Sequence, residues 1–316
     1  MTKLNELKII NIFQKKLGNK KFISEDVEKF TLGNTKIIAK TDTMVQSTDI
    51  PNKMELSAAA RKSVIACVSD FACKGVKPEY GIISINLPKS ISTKEITNIA
   101  NGFKNACKEY DIAIIGGDTN EGKEIVFNVC IFGNSNKIVT RKGSKKGDLI
   151  FTTGPFGYTS IGLGILLGSN NKTSNFIKKS VRAVTNPHPR LKYGLKNKKY
   201  FSASMDSSDG LSTTLNEMAK QSKKKFIVNK IPTNRDLEDY CKKQKKNLNS
   251  AVFHGGEEYE FVFTVPSKFK KIIIKNAKLL KTPIFEIGYV TFGNGVYLEN
   301  KMGETKLNDL GWKHFK

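Results

Sequence analysis

Apolar positions recur along the chain with two alternating periods. Leu4, Leu7, Ile10, Phe13 and Leu17 fall at helical spacing and Gly18 closes the run, which predicts an N-terminal amphipathic helix. TKIIAK (35–40) predicts a strand running into TDT. Residues 55–74 predict a long helix stopped by Gly75 and Pro78. YGIISINLP (80–88) predicts a strand, and Ser92 with Glu95 forms a capping-box signal for a helix to about Tyr110. DIAIIGGD (111–118) predicts a buried strand entering a double-glycine turn, and EIVFNVCIFG (124–133) a further strand.

A basic stretch, TRKGSKKGD (140–148), precedes a second series of elements. LIFTTG (149–154) predicts a strand and 157–168 a glycine-containing helix, with NPHPR (186–190) as a break. A short strand over 201–205 leads into SMDSSDG, followed by a helix over 209–220. YEFVFTV (259–265) predicts a strand, then a helix and two C-terminal strands. The pattern predicts an α/β fold of mixed α+β character with two domains, 1–140 and 141–316, each a mixed sheet flanked by helices.

Charge adds a preference for anions. The 316 residues carry 53 Lys+Arg against 29 Asp+Glu, a net charge of +24. The lysines are dispersed and no RNP, zinc-finger or basic-zipper pattern accompanies them, so a solvated surface is favoured over a nucleic-acid patch. The five cysteines are odd in number and form no C-x-x-C, which argues for reduced, small hydrophobes in a cytoplasmic protein. The N-terminus lacks a signal-type apolar core, and no apolar run approaches the roughly 20 residues of a membrane helix.

Against this basic background one set of acids stands out. Asp26, Asp42, Asp70, Asp118, Asp206 and Asp209 each sit beside Gly, Ser or Thr, at the exit of an apolar strand or within an apolar helix. Strand exits in α/β domains are where ligands bind. Carboxylates gathered there suit hard divalent cations such as Mg²⁺, which take oxygen ligands and bridge to phosphates. Taken singly, each acid also reads as a helix cap or turn, and Asp70 as the partner of a lysine. GGDT (116–119) and GGEEYE (255–260) read as turns whose side-chain-free residues let backbone amides approach a phosphate. There is no G-x-x-x-x-G-K-[ST] loop, no G-x-G-x-x-G after a strand and no G-x-S-x-G elbow. His188, His254 and His314 have no serine or cysteine partner motif.

TDTMV, SDFACKGVKP, IIGGDTN, VTRKGSKKGD, FTTGPFGYTSIGL, MDSSDGL and GGEEYEFVFTV occur in the order and at about the spacing of the thiamine-monophosphate kinase family. The chain resembles that family, within the aminoimidazole ribonucleotide synthetase superfamily, over nearly its whole length. The resemblance implies two domains of that type, the first pairing in a homodimer. It implies transfer of phosphate from ATP to thiamine monophosphate with several Mg²⁺ ions. By position, Asp26, Thr41, Asp42, Asp70, Asp118, Asp206 and Asp209 are implied at metals, and Gly117, Asp118, Arg141 and Ser208 at ATP. Asp49, His254 and Trp312 are implied at thiamine monophosphate. The chain departs from the family in SEDVE (24–28), in Lys40 where a serine often helps a metal, and in Asp49 and His254.

The implied acceptor is a phosphate monoester, already anionic near neutral pH. No general base is therefore assigned, and catalysis is expected from positioning and charge stabilisation. Arg141 is the side chain expected to fork onto phosphate. Trp312, the only tryptophan, is either a stacking surface for a cationic thiazolium or a core anchor for the tail. The rival readings are another ATP-dependent member of the superfamily with a different acceptor, and a non-catalytic basic nucleic-acid binder.

Overall fold

The structure is a computed structural model that describes residues 4–19, 23–168, 173–313 and 315. His314 lies outside the described residues. Helix α1 (Glu6–Lys16) precedes a first sheet built from β1 (Glu28–Leu32), β2 (Thr35–Val45), β3 (Tyr80–Leu87), β4 (Ala113–Glu121) and β5 (Val126–Asn134). The short helix α2 (Gln46–Asp49) follows β2, and α3 (Leu56–Lys74) and α4 (Thr93–Tyr110) flank β3 in sequence. The spatial order is β1-β2-β5-β3-β4, with only β3 and β4 parallel.

The chain changes sheets between Asn134 and Asp148. The second part contains β6 (Asp148–Thr153), α5 (Tyr158–Leu167), α6 (Asn175–Thr185), α7 (Leu191–Asn197), β7 (Ala203–Asp206), α8 (Leu211–Ser222) and β8 (Lys225–Val228). It continues through α9 (Arg235–Lys243), α10 (Leu248–His254), β9 (Phe261–Pro266), α11 (Lys270–Leu279), β10 (Ile284–Thr291), β11 (Gly295–Asn300) and β12 (Gly303–Lys306). These strands form one seven-stranded mixed sheet in the order β12-β11-β8-β10-β6-β9-β7.

Helix α3 joins the two halves. It is rich in Ala, Ser, Cys and Val, and every residue from Ala59 to Lys74 is buried. Such short side chains let backbones approach closely, and a helix apolar nearly all round is one buried on all sides. Phe71 packs with Val129 and Ile131 of β5. Two residues on, Cys73 packs with Phe261 and Phe263 of β9. Gly75 ends the helix at φ 65°, the left-handed cap that glycine adopts without steric cost. The capping box at Ser92 forms as the sequence predicts, with Glu95 N–H donating to Ser92 Oγ at 3.3 Å.

Two expectations require correction. Within DIAIIGGD only Ile112 is buried, and the glycines form no turn. From Ala113 the segment belongs to β4, an exposed edge strand that continues through Gly116 and Gly117 to Glu121. Gly117 pairs with Ile83, and a Cβ there would lie 1.9 Å from the Ile83 carbonyl oxygen, so glycine serves the strand pairing. The C-terminal region forms three strands after α11, because β12 adds a short hairpin partner to β11. All five cysteines are free thiols.

Candidate active site

Three buried carboxylates meet where α3 crosses between the sheets. Asp26 comes from the segment before β1, Asp70 from α3, and Asp206 from the last residue of β7. One oxygen of each lies within 4.8 Å of the others. Asp42 approaches from β2, where Ile38 and Met44 are buried and the alternation turns Lys40 and Asp42 to the same, helix-facing side.

Three cations share these acids unequally. The Lys74 ammonium is fully buried and lies 2.6 Å from Asp26 Oδ2 and 2.7 Å from Glu25 Oε2, while donating to the Ser204 carbonyl at 2.9 Å. Arg141 donates to Asp26 Oδ1 from Nε at 2.8 Å and also from Nη2. Lys40 Nζ lies 2.9 Å from Asp70 Oδ2 and 3.7 Å from Asp42 Oδ2. Asp206 has no ion pair among the described residues, and its side chain accepts only a long 3.4 Å contact from Ser69 Oγ.

The protonation of the acids follows this division. Burial alone would raise Asp26, but Lys74 and Arg141 outweigh it and hold the carboxyl well below the usual range. Burial pushes Asp70 up to about 7 in spite of Lys40. Asp206 is raised well above its ordinary value by burial and by the charges of Asp70 and Asp26. Burial also raises Asp42, partly offset by Lys40. A buried, under-neutralised set of hard oxygen donors fits a divalent cation such as Mg²⁺. Asp26, Asp70 and Asp206 are the residues that would hold it.

The acids front a cavity of about 640 Å³ between the two halves of the chain. Lys40, Asp42, Asp70, Asp206, Ser208 and Asp209 line one side. Asp49, His254 and Trp312 line it as well. Asp49 Oδ2 accepts the Val45 N–H at 2.7 Å, which fixes the carboxylate at the start of α2. His254 Nδ1 is 3.1 Å from Ser212 Oγ, and burial lowers its pKa, which keeps the ring neutral near pH 7. Trp312 is 56% exposed, which excludes the core-anchor reading. Its backbone N–H donates to the Asp209 carbonyl at 2.9 Å, so the C-terminal tail is seated on the SMDSSDG loop.

Not every residue singled out from the sequence reaches this cavity. Asp26 lies behind the cavity wall, against Asp70. Thr41 alternates to the opposite sheet face and donates to the Val129 carbonyl at 3.2 Å. Asp118 is in register with Ser84, Asn128 and Thr43 across β3, β5 and β2. That row places Asp118 on the face opposite to Asp42 and about 14 Å away, at roughly 4.8 Å per strand. Gly117 and Asp118 therefore stand apart from the cluster within one chain. Arg141 is neither a solvated linker residue nor an open fork. Its guanidinium grips Asp26 and Ser24 Oγ, and its N–H donates to Glu25.

Sequence reasoning missed two buried lysines. Lys74 lies four residues after Asp70 on α3, and that spacing was the available signal. Lys62, also on α3, is wholly buried and meets Glu257 Oε1 of the GGEEYE loop at 2.5 Å. Nothing in the local sequence pairs residues so far apart.

The family described as AIR synthase related protein, N-terminal domain, matches residues 25–134. The thiamine-monophosphate kinase of Nitrosopumilus maritimus (strain SCM1) is 63% identical over 316 residues, covering 100% of both chains. The chain belongs to the thiamine-monophosphate kinase family. The thiamine-monophosphate kinase of Pyrococcus horikoshii is 30% identical over 100% of this chain and 98% of its own. Among solved structures, AaThiL complexed with AMPPCP and TMP superposes with a TM-score of 0.88 at 29% identity, covering 98% of this chain and 97% of that one. The thiamine-monophosphate kinase from Aquifex aeolicus superposes with a TM-score of 0.83 at 28% identity, covering 94% and 97%. As a member of the thiamine-monophosphate kinase family the chain is a phosphotransferase, and no helix among its described residues is long and apolar enough to cross a membrane.

Proposed function

We propose that this chain transfers the terminal phosphoryl group of ATP to thiamine monophosphate, giving thiamine diphosphate, in the presence of several Mg²⁺ ions. The observation that carries this reading is the buried Asp26–Asp70–Asp206 cluster opening onto the cavity lined by Asp49, His254 and Trp312. A relative of the same fold was solved with AMPPCP and TMP together, in keeping with two phosphate-bearing ligands.

Bound Mg²⁺ would supply positive charge between two anionic phosphates. The chain's own residues position and desolvate. Asp70 and Asp206 present oxygens at the cavity wall, with Asp26 held ionised behind them by Lys74 and Arg141. Ser208 and Asp209, exposed in the loop after β7, line the cavity, and we assign Ser208 to the nucleotide and Asp209 to metal. Trp312 offers a flat, half-exposed surface to a cationic ring. His254 is neutral and bonded to Ser212, so it shapes the thiamine end rather than moving a proton. The acceptor phosphate is already anionic, and no side chain need act as a base. Transfer is direct and in line, with no phospho-enzyme.

We assign metal and nucleotide chemistry to both halves: residues 1–140 supply Asp26, Asp42 and Asp70, and residues 141–316 supply Asp206, Asp209 and the substrate wall. Two copies are expected to pair through the first sheet, because Tyr80, Ile82, Ile114 and Ile115 are exposed along β3 and β4. A cytoplasmic setting agrees with five free thiols.

The test is an assay of purified protein with ATP, Mg²⁺ and either thiamine monophosphate or free thiamine. Formation of thiamine diphosphate, with free thiamine a poor substrate, supports the reading. Equal turnover of free thiamine would sink the argument that the acceptor arrives as an anion.

A further inference from the structure

Lys40 differs from the other two cations of the acid cluster. Lys74 has no exposed side-chain surface and is fixed by two carboxylates and a carbonyl. Arg141 is forked onto Asp26, behind the cavity. Lys40 alone lines the cavity, with 24% of its side chain exposed. Its ammonium lies between Asp70 and Asp42, two of the acids that front the open space.

We propose that Lys40 is a resident counter-ion that takes the position of one divalent cation in the acid set. The inference rests on the metal reading above. A divalent ion bridging Asp42 and Asp70 would need the same oxygens that the ammonium now holds, and the two cations repel at such range. A single ammonium also neutralises less charge than a divalent ion. Asp42 and Asp70 have Lys40 as their ion-pair partner, and Asp206 has none, among the described residues. Without Lys40 the oxygens of Asp42 and Asp70 would be open to a divalent ion in its place. Lys40 thereby lowers the number of divalent ions the nucleotide-free protein holds, and limits the repulsion among its acids when metal is scarce.

The experiment counts Mn²⁺ bound to the full chain without nucleotide, by electron paramagnetic resonance of the free ion. It compares the unaltered protein with Lys40→Gln, Lys40→Arg and Asp70→Asn. Lys40→Gln is expected to bind one additional Mn²⁺ per chain, and Lys40→Arg to keep the unaltered count. Melting temperature gives a second readout, with Mn²⁺ raising it more for Lys40→Gln than for the unaltered protein. Equal counts and equal thermal responses for the unaltered and Lys40→Gln proteins, with binding reduced in Asp70→Asn, overturn the role of Lys40 and leave the metal cluster standing. An added site in Lys40→Arg overturns it too, because charge would then not be the cause. Mn²⁺ binding that is indifferent to Asp70→Asn overturns the cluster and this inference together.

Discussion

Lys74 and Asp26 form an ion pair 2.6 Å long with both side chains wholly withdrawn from solvent. The last turn of α3 supplies the ammonium and the segment before β1 supplies the carboxylate, so the pair ties the N-terminal segment to the central helix. Lys74→Met would leave Asp26 and Glu25 with Arg141 alone. Removing one partner of a buried pair typically costs about 3–5 kcal/mol. Urea unfolding of the metal-free protein should show a loss of that order, and a loss below about 1 kcal/mol would contradict the assignment.

Asp206 and Asp209 are three residues apart and have different surroundings. Asp206 is buried among acids, while Asp209 is exposed at the cavity rim. The N-cap of the helix that follows is Gly210, and Asp209 lies one residue before it. Asp209 is exposed, so Asp209→Asn should change stability by no more than about 0.5 kcal/mol. The initial rate should fall about a hundredfold, as loss of a preorganised charge does. A destabilised but fully active variant would restore the capping explanation.

The metal-free protein should lose stability as pH rises from about 4 to about 7. Burial lifts Asp70 from an ordinary value near 3.8 to about 7. The folded chain then holds a proton that the unfolded chain has released, so this contribution is complete below about pH 4 and is lost as pH approaches 7. Asp26 acts in the opposite sense, because its lowered pKa favours the folded state above the ordinary carboxylate range and is lost only in acid. Melting curves between pH 4.5 and 7.5, in chelator, should show a negative slope that Asp70→Asn diminishes. An unchanged slope in Asp70→Asn would show that Asp70 does not carry it.

Periodicity made the helices legible where their apolar faces were regular, as in α4 with its capping box. It failed at β4, because an apolar run of two isoleucines and two glycines looks the same whether it faces a core or an uncovered sheet face. The acid set was visible as residue types beside Gly, Ser and Thr, and most of it lines one cavity. Its separation into buried and rim acids was not visible. Neither was the cation that each acid meets. Those pairings come from α3 packing against both sheets, and residues such as Lys62 and Glu257 meet only after the chain has folded.

Trp312 is half exposed at the cavity and is attached to the SMDSSDG loop through its backbone. Trp312→Ala should leave stability within about 0.5 kcal/mol. A lost cation–π surface is worth roughly 0.5–2 kcal/mol, which predicts a several-fold rise in KM for thiamine monophosphate. KM for ATP should change less. Loss of thermal stability with both KM values unchanged would contradict the substrate assignment.

Exposed Ile82 and Ile115 lie on the neighbouring strands β3 and β4. A charge on that surface should oppose pairing of two copies. Light scattering should give a dimer for the unaltered protein and a monomer for Ile82→Asp/Ile115→Asp. A dimer that survives both substitutions would place the interface elsewhere.

The claim that the buried carboxylates exist to hold Mg²⁺ is tested most directly at Asp206, the acid without an ion pair among the described residues. The measurement is the initial rate of thiamine diphosphate formation against Mg²⁺ concentration, for unaltered protein and Asp206→Asn, alongside the metal-free melting temperature. Asp206→Asn should lower the rate by about a hundredfold or more. Its melting temperature should be unchanged or higher, as repulsion from Asp70 and Asp26 is relieved. A variant that melts earlier yet keeps the full rate and Mg²⁺ dependence would contradict the assignment of these carboxylates to Mg²⁺.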